Sequence, residues 1–262
     1  MFMKKFRYLI FLLVPLVALD FCTPSTAAKD KKDVANIKTP GSLPGSKNVA
    51  VLELFTSQGC SSCPPADRLL GTYASKENVI VLSFHVDYWD RLGWKDPFSS
   101  KEYTKRQYNY ASALHADVYT PQLVVNGQTE MIGSDANKIS NAINKIVEQQ
   151  PEATLMVKEV KVENGKALVN FDASGKIKNA TLNVALVEKK TTTDIKAGEN
   201  GGVTLTNYNV VINFQTINKV DNGNNMATID MPSSPDLQNM SVVLFLQDKK
   251  SNKISAATQA AF

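Results

Sequence analysis

The sequence predicts an α/β domain of order β-α-β-α-β-β-α followed by an all-β, sandwich-like domain. Three observations carry this. Between Val49 and Gln150, strand-like apolar runs alternate with helical stripes. From Ala153 onward the helical signals stop, and seven strand-like runs follow between turns rich in Gly, Asn and Pro. Cys60-Ser61-Ser62-Cys63-Pro64-Pro65 stands where the first strand passes into the first helix. Two cysteines at that spacing on a helix start suit thiol–disulfide chemistry.

The elements follow in order. Lys4, Lys5 and Arg7 precede a twelve-residue apolar run, Tyr8 to Leu19. That run is short of the roughly 20 residues a membrane span needs, and fits an export signal over residues 1–28 cut after Ala27 or Ala28. A rival, less favoured reading lipidates Cys22. Residues 29–46, rich in Lys, Asp, Pro, Gly and Ser, read as a flexible leader. Cleavage would leave 26 basic and 24 acidic residues, a net charge of +2. That is too weak a balance to indicate nucleic acid or anionic membrane as a partner. The expected location is extracytoplasmic, periplasmic or secreted, where a lone cysteine pair tends to be a disulfide.

Residues 47–150 form the first expected domain. Val49–Phe55 and Val79–Phe84 read as buried strands, and Pro64–Ser75 as a helix. Residues 88–114 read as an aromatic-rich helical insertion. Its Ser99-Ser100-Lys101-Glu102 matches a capping box. Asn126-Gly127 marks a hairpin between Leu123–Val125 and Glu130–Ile132. Asp135 caps a last helix with Ile139, Ile143, Ile146 and Val147 along one side. This order is the minimal thioredoxin arrangement. Residues 151–262 form the second expected domain. Its strands are Thr154–Val162, Lys166–Phe171, Thr181–Val187, Tyr208–Ile217, Met226–Met231, Ser241–Gln247 and Ile254–Ala261, the first two joined at Asn164-Gly165.

Cys60 is expected to be the exposed nucleophile, and Cys63 the residue that resolves the mixed disulfide. Free N–H groups at the helix start would favour the thiolate. Thr120-Pro121, just before the third strand, is expected to be cis and to dock an extended substrate through the Thr120 backbone. Three residues are candidate supports. Glu53 could take the Cys63 proton. His85 could move protons for the thiol, or be a histidine satisfied in the core or by Asp87.

Leu52–Ser57, Thr120-Pro121-Gln122 and Ile132–Asp135 are similar to the matching segments of glutaredoxins. The longer strings Glu53–Asp67 and His85-Val86-Asp87-Tyr88-Trp89-Asp90 resemble the secreted thioredoxin-like proteins of the domain of unknown function 1223 family, as does Gly198-Glu199-Asn200-Gly201-Gly202. The resemblance implies a thioredoxin fold and a redox-active pair, and no substrate. Gly59 stands where thioredoxins have a Trp, and Ser61-Ser62 replaces Gly-Pro, so redox potential is not carried over.

The function expected is an exported thiol–disulfide oxidoreductase, acting on protein or small-molecule thiols and disulfides. No bound cofactor or metal is required, since a partner thiol supplies the electrons. One alternative is a copper-handling protein using Cys60, Cys63 and His85, since soft thiolates suit Cu(I). Another is a non-catalytic secreted protein in which the pair is a structural staple.

Overall fold

A computed structural model describes residues 48–262; the expected export signal, the leader and Cys22 lie outside the described residues. The first apolar run becomes β1, Ala50–Thr56, buried along its whole length. Strand β1 turns into α1, Pro64–Tyr73, which opens on Pro64-Pro65. Proline's fixed φ suits a first turn, and its missing N–H costs nothing there. Next come β2 (Val79–His85), a 3-10 helix (Asp87–Leu92) and α2 (Lys101–Leu114). Ser100 caps α2 by accepting from the Glu102 N–H at 3.1 Å. Strands β3 (Gln122–Val125) and β4 (Thr129–Ile132) form the expected hairpin, through a three-residue loop. Asp135 caps α3, Ala136–Val147, by accepting from the Lys138 N–H at 3.0 Å.

Strand β1 runs parallel to β2 and antiparallel to β3, and β3 pairs antiparallel with β4. Helices α1 and α3 bury Ala66, Leu70, Ile139 and Ile143 against Leu52, Leu54 and Leu123 on one face. Helix α2 buries Tyr103 and Tyr110 against Val51, Phe55 and Phe84 on the other. Tyr88 and Trp89 of the insertion pack partly buried against the same cluster, while Tyr108 is exposed.

Seven more strands follow: β5 (Ala153–Glu163), β6 (Lys166–Gly175), β7 (Ala180–Asp194), β8 (Thr204–Ile217), β9 (Gly223–Asp230), β10 (Met240–Asp248) and β11 (Ile254–Ala261). They do not form the self-contained sandwich that the sequence suggests. Strand β8 pairs in parallel with β2 at Ser83 and Val210. One eight-stranded mixed sheet results, of order β11-β10-β7-β8-β2-β1-β3-β4, while β5-β6-β9 forms a second sheet. The second sheet packs Val169 and Phe171 against Leu182, Val184 and Leu244. The reason is an open edge: β2 has β1 on one side only, and β8 supplies the missing partner. The core under α2 then runs unbroken from Phe55 and Phe84 to Val211 and Phe245.

Strands β7 and β8 are also longer than expected, at 15 and 14 residues. Their polar ends, Glu188–Asp194 and Thr204–Asn207, carry no apolar alternation, yet their backbones stay paired. This extension carries the β7–β8 loop to the mouth of the cysteine site.

Candidate active site around the Cys60–Cys63 disulfide

Cys60 and Cys63 are joined by a disulfide at the start of α1. Both residues are fully buried, so the expected exposure of Cys60 is corrected. Three oxygens surround its sulfur. The Thr120 hydroxyl donates to Cys60 Sγ at 3.3 Å, the Ser62 hydroxyl lies at 3.3 Å, and the Thr120 carbonyl at 3.9 Å. The Thr120-Pro121 bond is cis. Trp89 Nε1 donates to Thr120 Oγ1 at 2.8 Å. An indole nitrogen only donates, so Thr120 must accept there, and its own hydrogen is left for the sulfur. Trp89, from the 3-10 helix, thus orients a donor onto Cys60. A Cβ on Gly59 would lie 3.3 Å from the Trp89 Cβ, which leaves little room for a larger residue before Cys60.

The helix start is not rich in free donors. Pro64 and Pro65 have none, and the Ala66 and Asp67 N–H groups both bond the Cys63 carbonyl, at 2.9 and 3.1 Å. The Cys63 N–H bonds the Cys60 carbonyl at 3.2 Å. The Ser61 N–H donates to Glu199 Oε2 at 3.0 Å. Sulfur stabilisation therefore falls to hydroxyls rather than to the backbone.

Glu199 and Asn200 belong to the β7–β8 loop, and sequence reasoning assigned them no role. Asn200 Nδ2 donates to the Gln58 carbonyl at 2.8 Å and to the Cys60 carbonyl at 3.0 Å. Gln58 is a buried hub, bonded through its side chain to Thr193 Oγ1 (3.0 Å) and Trp94 Nε1 (3.1 Å). Gly198, at φ +75°, packs against Trp94. The Gly198–Gly202 string was the visible signal. Its distance along the chain hid the contact.

The supporting residues rearrange. His85 is fully buried, but its partner is Asp96, with Nδ1 2.6 Å from Oδ2. Asp87 instead accepts from Thr104 Oγ1 at 2.6 Å. The 3-10 helix turns Asp87 toward α2 and brings Asp96 back under β2. Burial opposes charge on His85, but Asp96 outweighs it, and the imidazole pKa is raised. Burial likewise pushes Asp96 up. The His85 charge and the Gln58 and Phe98 N–H groups prevail, and its carboxyl sits below the usual range.

Glu53 is buried, but it bonds Arg106 Nε at 2.6 Å and the Tyr110 hydroxyl at 2.5 Å, under α2. Since α1 lies on the opposite face of the sheet, Glu53 is not the proton acceptor for Cys63. The buried carboxylate on the disulfide side is Asp67, one helical turn beyond Cys63, where i and i+4 side chains share a face. Thr56 Oγ1 donates to its Oδ2 at 3.2 Å. Burial pushes the Asp67 pKa up to about 6; His85, Thr56 and Asn207 oppose the rise, and Asp96 adds to it. Asp67 Oδ1, His85 Nε2 and both amide atoms of Asn207 are buried without hydrogen-bond partners among the described residues.

His85 is engaged with Asp96, and Cys60 and Cys63 with each other. Among the described residues no group of three or more His, Cys, Asp or Glu is placed to hold a metal ion. Nor is any described helix long and apolar enough to cross a membrane. His115 is exposed and ends α2 at φ 53°.

A family profile described as "Protein of unknown function (DUF1223)" matches residues 51–247. A crystal structure of a protein from Agrobacterium tumefaciens is 30% identical, with TM-score 0.64, covering 82% of this chain and 95% of that one. A domain of the outer membrane lipoprotein Omp28 from Porphyromonas gingivalis is 14% identical, with TM-score 0.27, over 42% of this chain and 95% of that one. No curated protein matches.

Proposed function

We propose that this chain, which belongs to the DUF1223 family, is an exported thiol–disulfide oxidoreductase of thioredoxin-like arrangement, working through Cys60 and Cys63. The observation that carries this is the disulfide with the Thr120 hydroxyl and carbonyl turned onto the Cys60 sulfur. A structural staple needs no donor on its sulfur, whereas a thiolate does. The strand order β2-β1-β3-β4, with α1 and α3 on one face and α2 on the other, supports the thioredoxin-like reading.

In the reducing direction the Cys60 thiolate attacks a substrate disulfide. A Cys60–substrate bond forms, and one substrate thiolate leaves. Cys63 gives its proton to a base, for which Asp67 is the nearest buried carboxylate along α1, and attacks Cys60 Sγ. The second substrate sulfur leaves as thiolate, and the Cys60–Cys63 bond closes. Two electrons pass to the substrate. Run backwards, the same steps oxidise a dithiol. Because both sulfurs are buried, the partner must displace the groups around Thr120 and Ser62 to reach Cys60.

Equilibration with glutathione tests the function. The pair should reduce reversibly at a potential above the roughly −300 mV typical of structural disulfides. A pair still oxidised at that poise would make it a staple. A second test separates the two sulfurs. Cys63→Ser should accumulate mixed disulfides on non-reducing gels and Cys60→Ser should not, since only the former keeps the attacking sulfur while losing the resolving one. Adducts on Cys60→Ser alone would reverse the roles.

A further inference from the structure

Resting on that reading, we propose that Glu199 is a positioning residue that makes the Cys60–Cys63 pair a weaker oxidant. It does so by occupying the Ser61 N–H and setting a carboxylate at the Cys60–Ser61 peptide. The observations are local and specific. The helix start is stripped of donors by Pro64-Pro65, and the Cys63, Ala66 and Asp67 N–H groups are already spent on Cys60 and Cys63 carbonyls. The Ser61 N–H, next to Cys60, is held by Glu199 Oε2 at 3.0 Å. Asn200, the next residue, anchors the loop through the Cys60 and Gln58 carbonyls, so the carboxylate is held in place. The hydrogen bonds from Ser61 keep the Glu199 pKa below the usual range, so it is charged at neutral pH.

The consequence follows from charge. Reduction places a thiolate on Cys60. The Thr120 hydroxyl favours that thiolate, the Ser62 hydrogen is shared between the sulfur and the Thr120 carbonyl at 3.3 Å, and a carboxylate one peptide away disfavours the thiolate. A disfavoured thiolate disfavours the reduced form, so the pair is less oxidising than its hydroxyl donors alone would make it. The buried ionisable groups of the site are Asp67 on α1, His85 on β2 and Asp96 in the segment after the 3-10 helix, and Lys196 of the same loop pairs with Asp194. The buried groups hold one another, and the Glu199 variants leave them unchanged. This loop is the contribution of the C-terminal half to the site: it reaches over from the far part of the sheet and sets the poise of a pair built entirely by the N-terminal half.

The test uses the full chain and glutathione at pH 7. Glu199→Gln keeps size and a hydrogen-bond acceptor but removes the charge. The equilibrium constant for reduction of the pair should rise roughly three- to tenfold, the range expected for one unit charge a few ångströms away and screened as in water, since Glu199 is exposed. The Cys60 thiolate should titrate at lower pH. Both shifts should shrink in 1 M salt, where screening is nearly complete over a few ångströms. Glu199→Asp, which keeps the charge, should stay close to the wild type. If the wild type cycles and Glu199→Gln matches it, shifts the other way or shifts equally at high salt, Glu199 does not set the poise. A wild-type pair that glutathione cannot reduce would instead sink the oxidoreductase reading, and this inference with it.

Discussion

Arg106→Ala should cost about 3–5 kcal/mol, a large fraction of a typical total stability of roughly 5–15 kcal/mol. Glu53 is fully buried, and Arg106 is 14% exposed. Removing the guanidinium leaves a carboxylate in the core with only the Tyr110 hydroxyl for company. The cation also lies 4.9 Å over the Phe214 ring, 5.5 Å over Phe245 and 5.6 Å over Phe84. It bonds Gln247 Oε1 at 3.2 Å. These contacts come from β2, β8 and β10, so Arg106 ties the N-terminal strands to the C-terminal ones. Urea denaturation should therefore show a single transition moved to lower concentration. The pair replacement Glu53→Gln with Arg106→Met should lose less than Arg106→Ala alone, since no unpaired charge remains. A cost under about 1 kcal/mol, or additive single and double losses, would show that the ion pair does not hold this core.

Asp67→Asn should stabilise the protein at pH 8 by roughly 3 kcal/mol, with the gain vanishing below about pH 4. The sign follows from burial. The folded pKa of about 6 lies above the unfolded value near 3.9. The native state therefore holds this proton longer, and the stability it confers is fully present below about pH 4. It is lost as pH rises through about 6, because a charged Asp67 must then stay buried. Asparagine never pays that cost, and its amide oxygen can still accept from Thr56. His85 loses its own contribution in the same direction as pH rises; Asp67 is one of the groups that raise the His85 pKa, so this contribution is smaller in the variant and the measured difference includes it. Stability curves of the two proteins between pH 4 and 8 measure this. A constant difference, or a less stable variant at pH 8, would mean that Asp67 is not a buried, titrating carboxylate. Keeping a destabilising acid one turn from Cys63 is the pattern of a functional group. The variant should accordingly resolve mixed disulfides more slowly at pH 7, whatever it gains in stability.

Signals that act over a few residues were legible in the sequence. The apolar run into Cys60, the prolines at the helix start, the Asp135 cap, the Ile139 and Ile143 stripe and the Asn164-Gly165 turn each depend on local dihedrals or periodicity. Each appears in the structure where the pattern put it. Thr120-Pro121 was legible by position alone, as the residue pair opening the strand beside β1. Asp67 was also within reach, four residues past Cys63, but nothing in the sequence says which face of α1 is dry.

What only the tertiary structure decided depends on partners distant in the chain. Glu53 sits on a strand buried on both faces, so alternation could not say whether it faced α1 or α2. His85 pairs with Asp96 because a 3-10 helix reverses the chain between them, and Asp87, nearer in sequence, points elsewhere. Glu199 lies 138 residues from the Ser61 N–H it binds. It gets there because the open edge of β2 accepted β8, and the paired backbones of β7 and β8 continued past their apolar segments. Local propensity favours a strand without naming its neighbour, and the pairing of β8 with β2 is settled only when the two halves bury one core.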